Sequence, residues 1–199
     1  MNIVDTFLTG LSAALSPESR EELSLASGAS TQQIAALSAA YPNCPSSLLG
    51  LVSRINGTYW QAYGDSTVSV LMLGSDVDGG EYPYYLLSIE QMLVESASAL
   101  AAESIAQVYE GAILARSGLL GSHIDPSVPM GRRLCFAHCM NNGGTSILYI
   151  DFDPAPGGTV GQIVRFLHDP DNYAVIANSF DAYLQQLIEG NYRYVLDLE

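Results

Sequence analysis

The last third of the chain alternates short apolar runs with turn signals. The apolar runs occupy residues 134–140, 146–152, 162–167 and 173–177, and the segments between them are rich in Asn, Gly, Asp and Pro. Such segments end strands, because Gly and Asn tolerate positive φ and Pro cannot donate to a β-ladder. Connections this short favour antiparallel neighbours. The pattern therefore predicts a small antiparallel sheet.

An amphipathic helix follows the fourth run. Its apolar residues recur at helical spacing, and we expect Phe180 and Leu184 on this stripe to anchor the helix to the sheet. Asn178 is the predicted N-cap, Asp181 lies near the positive end of the helix dipole, and Gly190 is predicted to end the helix.

The run at residues 134–140 is apolar at both odd and even positions, which predicts an interior strand covered on two faces. Simple alternation places Cys135 and Cys139 on one face and His138 on the other. A zinc site needs ligands that converge, and no further Cys or His pair has zinc-site spacing. We therefore interpret these three side chains as core residues and expect no bound metal.

The first half of the chain is predicted to be mostly helical. An apolar stripe predicts a helix through residues 3–15, Pro17 begins a second, and capping-box patterns at Ser30 and Ser88 begin two others. A further helix ends at Asn56 and Gly57. The helix from Ser88 is expected to continue to about residue 115.

Three strands are expected before that long helix, at residues 58–63, 67–73 and 82–87, with an acidic turn at residues 74–80. Pro83 indicates an edge strand. The small polar segment 24–30 is the best linker candidate. These elements predict an α+β fold, with an N-terminal helical extension at residues 1–29 and a single domain at residues 31–199.

Composition narrows the class of protein. With 48% hydrophobic residues among 199, a packed core is expected. No apolar stretch reaches membrane-spanning length, and the N-terminus has no basic segment before an apolar core, so neither a membrane protein nor a secretory signal is predicted. Three cysteines, an odd number, suit reduced thiols and a cytoplasmic location.

The net charge is −14, from 21 acidic and seven basic residues, and every basic residue is Arg. Binding to nucleic acid or to an anionic membrane is disfavoured, because both need a basic patch. A basic protein partner is favoured by electrostatic steering, while charge that serves only solubility is an equal alternative. The absence of Lys excludes Schiff-base chemistry and the P-loop lysine, and no cofactor motif is present.

Several short motifs follow one another in a fixed order along residues 31–190. They are Thr31-Gln32-Gln33-Ile34, residues 45–57, residues 85–90, Phe136-Ala137, Asn142-Gly143-Gly144, residues 151–154, residues 161–164 and residues 177–180. In this order they resemble the SUKH superfamily, which includes fungal cell-wall-assembly regulators and bacterial immunity proteins. The chain departs from the family at Arg133-Leu134-Cys135, where Trp-x-Pro is frequent. The resemblance implies an α+β fold without enzymatic activity, in a protein that often occludes a cognate toxin.

Two sets of acidic residues are candidates for function. Asp151 and Asp153 lie two apart on a strand, so their Cα atoms are expected ~6.6–7 Å apart on one face, close to a glycosidase carboxylate pair. A solvated strand end before a proline turn is the favoured interpretation.

The other set of acidic residues is the candidate partner-binding site. Turns of a meander alternate between sheet ends, which is expected to bring together Asp76, Asp78, Asp169 and Asp171.

Three hypotheses for function remain. The first is a cytoplasmic immunity protein that neutralises a basic toxin of the nuclease type. The second is a regulatory scaffold of the cell-wall-regulator type that binds a kinase or a synthesis enzyme. The third, from a different class, is a carbohydrate-active enzyme that uses Asp151 and Asp153.

Overall fold

The computed structural model describes residues 2–77, 80–115, 118–139, 146–168 and 170–196. A six-stranded antiparallel sheet, with strands in the order of the chain, forms its centre. The α+β prediction is confirmed. The strands are β1 Gln61–Tyr63, β2 Ser66–Val68, β3 Leu73–Val77, β4 Gly80–Leu86, β5 Leu134–Cys139, β6 Ser146–Asp151, β7 Gln162–Leu167 and β8 Asn172–Ala177, of which β1 and β2 form a separate pair.

Helices precede, interrupt and follow the sheet. None of those in the described part of the chain is long and apolar enough to cross a membrane. They are α1 Ile3–Ala14, α2 Pro17–Ser24, α3 Thr31–Ala40, α4 Ser46–Val52, α5 Ile89–Ser96, α6 Ile105–Tyr109, α7 Ala112–Ala115, α8 Phe180–Glu189 and α9 Arg193–Leu196, with short 3₁₀ turns at Leu100–Ala102 and Met130–Arg132.

The meander order gives the sheet two distinct ends. Neighbouring strands are antiparallel throughout. Strands β3, β5 and β7 therefore finish at the end of the sheet where β4, β6 and β8 begin. We call this the hairpin end. The loop from β6 to β7 lies at the opposite end of the sheet.

Strand β5 confirms the prediction of an interior strand. It pairs with β4 on one side and with β6 on the other, and all six of its residues are buried. A β-bulge at Phe136 shifts the register: Cys135 lies opposite Tyr149, whereas Ala137 lies opposite Leu148. Because one extra residue fits into β5, the simple alternation of side chains expected along this strand is interrupted.

The bulge divides β5 between two faces of the sheet. On the face covered by α8, Phe136 packs edge-on against Phe180, with ring centroids 5.5 Å apart. On the opposite face, Cys135 and His138 lie across from Tyr149 and Ile147 of β6. Helix α5 lies on this second face, since its Glu95 and Ser96 line a cavity together with Cys135 and Tyr149. We call the two faces the α8 face and the α5 face.

Helix α8 confirms the predicted apolar stripe, since Phe180 and Leu184 are both 0% exposed. Its N-cap is Ser179 rather than Asn178, because the Ser179 hydroxyl accepts from the backbone N–H of Ala182. Gly190 is the C-cap, as predicted.

Helix α1 belongs to the same apolar core as α8. Phe7 is 0% exposed and lies with its ring centroid 5.8 Å from that of Tyr192, whose hydroxyl donates to the Phe7 carbonyl at 3.0 Å. The residues of the predicted extension therefore contribute directly to the packing of the C-terminal helices.

The prediction of one long helix at residues 88–115 is wrong. The capping box at Ser88 is confirmed, but the segment breaks into α5, a 3₁₀ turn, α6 and α7. Ser104 begins α6 with its own capping box, in which its hydroxyl accepts from the Gln107 backbone. Serine side chains that bond to nearby backbone groups compete with continuous helix, which explains the break.

The strands near Pro83 also differ from expectation. The expected acidic turn at residues 74–80 is mostly strand, because β3 continues to Val77 and β4 begins at Gly80. The expected strands at 58–63 and 67–73 shorten to β1 and β2.

Strand β4 lies between β3 and β5, so the edge position inferred from Pro83 is wrong. In the described residues β4 pairs with β5 only at Tyr85 and Leu86, so Pro83 lies outside that ladder.

Candidate protein-binding surface

A row of mainly aromatic residues crosses five strands on the α5 face. Pairwise register places its members directly opposite one another, so their side chains share one face. We call it the aromatic row, and it consists of Tyr85, His138, Ile147, Phe166 and Tyr173. Tyr85, Ile147 and Phe166 are partly buried, whereas His138 and Tyr173 are buried, at 7% and 8% exposure. The row therefore offers a stiff contact area at its three partly buried members, with the two buried rings supporting them.

An exposed tryptophan extends the row beyond β4. Trp60 is 52% exposed, and its ring lies 4.8 Å from that of Tyr85 and 5.1 Å from that of Tyr59. Its backbone φ is 46°, which is uncommon for a bulky residue and mildly strained. The Tyr59 ring in turn lies 5.5 Å from His138. Trp60 and Tyr59 therefore form one continuous aromatic cluster with the row.

At its other end the row meets an acidic residue. The Tyr109 hydroxyl donates to Asp171 Oδ2 at 2.8 Å, and the Tyr109 ring lies edge-on to Tyr173. His168 Nδ1 is 2.8 Å from the other oxygen of Asp171. These contacts hold the Asp171 carboxylate beside the row.

The aromatic row lies next to the hairpin end of the sheet. His138 and Phe166 are the next-to-last residues of β5 and β7, while Ile147 and Tyr173 are the second residues of β6 and β8. A partner that touched the hairpin end could therefore also contact the row.

The predicted acidic site falls partly within the described residues. Asp76 lies in β3 one residue before the strand ends, and Asp171 directly precedes β8, so both are at the hairpin end. Asp78 and Asp169 lie outside the described residues. With strands about 4.8 Å apart, Asp76 and Asp171 are roughly 20–25 Å from each other along the sheet. The clustering of all four carboxylates stays a prediction.

Asp151 is not the solvated residue that the sequence suggested. Its side chain and that of Arg133 are both 0% exposed, and Arg133 Nε lies 3.2 Å from Asp151 Oδ1. The Gln162 amide donates to Asp151 Oδ2 at 3.1 Å. Arg133 further donates to the carbonyls of Asp125 and Val128. The residue at which the chain departs from the family motif thus forms a buried ion pair.

Asp153 has a different environment. Arg132 holds it in a two-pronged pair, with Nε–Oδ2 and Nη2–Oδ1 distances of 2.9 and 2.8 Å, and both side chains reach solvent. A cleft of about 520 Å³ beside α3 and α5 is lined by Asp153 but not by Asp151. Each aspartate pairs with its own arginine, and only Asp153 lines this cleft, whereas both carboxylates of a glycosidase pair flank one site.

The bulge changes the interpretation of the Cys and His residues in β5. Cys135 and His138 lie on the α5 face, whereas Cys139, opposite Ser146, lies on the other face. The prediction that Cys135 and Cys139 share one face and His138 lies on the other is therefore wrong. The three still do not converge. Among the described residues no group of three or more His, Cys, Asp or Glu side chains is arranged to hold a metal ion.

Sequence reasoning missed two residues of this surface. Trp60 was included in an expected strand, although it is the only Trp of the chain and immediately follows Gly57-Thr58-Tyr59. The second is Glu95 of α5, for which no role was predicted from the sequence. It lines a cavity together with Cys135 of β5 and Tyr149 of β6, a placement that follows from tertiary packing and that no local pattern predicts.

The fold and this surface define an α+β domain with an aromatic face on its central sheet. Residues 28–186 match the model of the SMI1 / KNR4 family (SUKH-1), and the chain belongs to that family. The resemblance found in the sequence is thereby confirmed. Membership supports a non-enzymatic role in protein–protein interaction. A search of curated proteins gave no match.

Proposed function

We propose that this protein is an immunity protein that binds and occludes a basic toxin, of the nuclease type, through the aromatic row, Trp60 and the acidic hairpin end. The observation that carries the proposal is the exposed Trp60 cluster, which continues into the row across the sheet. Trp and Tyr are enriched among the residues that dominate binding energy at protein interfaces.

The charge of the chain supports a basic partner. A net charge of −14 attracts cationic proteins over the Debye length and raises their rate of encounter. Nuclease domains carry basic surfaces for their phosphate substrates. A strongly acidic protein with a rigid aromatic patch is therefore suited to cover such a surface.

Co-expression with the product of the neighbouring gene tests the proposal. We expect the wild-type chain to restore growth to cells that make the toxin and to copurify with it. Trp60→Ala should weaken binding by about 2 kcal/mol or more, since large truncations at an interface hot spot have this effect. Leu25→Ala is the matched control, because Leu25 is similarly exposed at 49% but lies at the C-cap of α2.

The regulatory-scaffold hypothesis predicts a different result. A chain of that kind would copurify with a kinase or a synthesis enzyme and would give no protection from a toxin. Growth rescue that survives Trp60→Ala with unchanged affinity, in a protein whose unfolding temperature is also unchanged, would contradict the proposed surface.

A further inference from the structure

A cavity of about 270 Å³ lies on the α5 face, between part of the aromatic row and the segment from α5 to α6. The sheet contributes Tyr149, Phe166 and Tyr173 to its wall, and the segment from α5 to α6 forms the opposite side. Tyr173 and Phe166 have ring centroids only 4.7 Å apart. We call this cavity the Glu95 pocket, after the acidic residue of α5 that lines it.

Glu95 has no ion-pair or hydrogen-bonding partner for its carboxylate among the residues that the structure describes. It is partly buried, and it acts electrostatically on Cys135 and Tyr149, which also line the pocket, and on the nearby His138. A partly exposed carboxylate that has no counter-ion in its own chain is free to accept hydrogen bonds from an incoming cation.

One cation also lines the pocket, but its charge is already compensated. Arg133 pairs with the buried Asp151, and its terminal nitrogens donate to the Asp125 carbonyl at 2.7 Å and the Val128 carbonyl at 3.1 Å. Of the charged side chains that line the pocket, Glu95 is therefore the one whose charge is not compensated within the described residues.

The mouth of the pocket is apolar and open to solvent. Leu100 is 76% exposed and Val108 is 49% exposed, and both line the cavity. The Tyr149 hydroxyl makes no hydrogen bond with the described residues. Burial, together with nearby acidic groups that include Glu95, raises the pKa of Tyr149, so this hydroxyl stays protonated and can donate or accept.

We propose that the Glu95 pocket binds one arginine side chain of the protein partner. This inference rests on the proposed function and names the chemistry of its anchor. Aromatic walls stack on a planar guanidinium, the Glu95 carboxylate accepts two of its N–H groups, and the apolar mouth covers the methylene stem. Arginine fits better than lysine because its flat, weakly hydrated head group suits an aromatic slot.

The pocket can be tested without the partner. The probe is the capped tripeptide acetyl-Gly-Arg-Gly-amide, titrated into the full chain and followed by NMR, with the citrulline tripeptide as the neutral analogue. We expect saturable shifts at pocket residues with the arginine peptide only, and an affinity about tenfold weaker in Glu95→Gln, equivalent to about 1.4 kcal/mol. Glu21→Gln, an exposed position on α2, removes the same charge and should bind like the wild type.

Each other result would overturn the inference. Equal binding of the citrulline peptide, equal loss in Glu21→Gln, or the absence of saturable shifts would each remove the role of Glu95. A lysine tripeptide that bound as tightly would overturn the choice of arginine.

Failure of this inference is distinguishable from failure of the proposed function. In the copurification assay, Glu95→Gln should weaken the complex in addition to the effect of Trp60→Ala. If Trp60→Ala weakens the complex and Glu95→Gln does not, the proposed arginine site in the Glu95 pocket is wrong, but the proposed binding surface around Trp60 is retained. If no basic partner copurifies with the wild type, the proposed function fails whatever the tripeptide shows.

Discussion

The stability that an ion pair contributes in this protein depends on how deeply the pair is buried. Arg132 and Arg133 are adjacent, and each holds an aspartate, yet one pair is open to solvent and the other is 0% exposed. Exposed pairs gain little because water and salt screen them. A buried pair that loses one member leaves an uncompensated charge in the interior.

We therefore predict that Asp151→Asn lowers the free energy of unfolding by about 3–5 kcal/mol. Asp153→Asn should lower it by no more than about 1 kcal/mol. Urea unfolding followed by circular dichroism measures both. Equal costs at the two positions would mean that Arg133 is satisfied by the carbonyls of Asp125 and Val128 alone.

His138 predicts a dependence of stability on pH. Burial lowers its pKa below the ordinary 6.5, although Glu95 opposes this, and its Nε2 has no partner in the described residues. The unfolded chain therefore binds a proton at a pH where the folded chain does not. Its contribution to stability is complete above pH 6.5 and is lost as the pH falls through the folded pKa.

The expected result is that wild-type stability falls between pH 7 and pH 5, and that His138→Gln reduces this fall. Urea midpoints measured across that range give the difference. His123→Gln is the control, because His123 is exposed and lies outside the row. A fall that is identical in wild type and His138→Gln would place the titration in other groups.

At the scale of elements, the apolar core is organised around α8. It packs against β5 through Phe180 and Tyr183 and against α1 on its other side. Removal of a large side chain here leaves a cavity that rigid neighbours on two sides cannot fill.

Phe180→Ala and Leu184→Ala should each lower the free energy of unfolding by about 2–5 kcal/mol. Gln186→Ala, on the exposed side of the same helix, should change it by less than about 0.5 kcal/mol. Equilibrium denaturation compares the three. Costs at Phe180 and Leu184 as small as that at Gln186 would show that the helix does not depend on this packing.

Sequence patterns predicted those elements whose signals are local. The capping boxes at Ser30 and Ser88 and the stripe of α8 are all found in the structure. The bulge at Phe136 could not be predicted, because both faces of β5 are apolar and a slip of one residue leaves the pattern unchanged. Likewise, the pairing of Arg133 with Asp151 and the position of Glu95 follow from tertiary packing.

At the scale of the whole molecule, the charge distribution decides how a partner would arrive. Asp76 and Asp171 lie at one end of the sheet, roughly 20–25 Å apart. The Debye length at physiological salt is about 8 Å, so their fields overlap only partly near the surface. A large basic partner would therefore meet two acidic positions with the aromatic row between them.

If the hairpin end captures a basic partner, neutralising Asp76, Asp78, Asp169 and Asp171 together by Asp→Asn should slow association about tenfold or more at low salt and flatten its dependence on salt. The dissociation rate should change less, because it depends mainly on close contacts such as those of Trp60. Stopped-flow or surface-based kinetics at several salt concentrations measure both rates.

The matched control removes the same number of negative charges elsewhere, by Glu→Gln at the exposed residues Glu18, Glu21, Glu103 and Glu189. Both variants have a net charge of −10, since four carboxylates are lost from −14. A difference between them therefore reports the position of charge rather than its total. If the control slows association as much as the hairpin-end variant, steering is a property of the whole acidic surface. If neither changes the rate or its salt dependence, the excess acid serves only solubility.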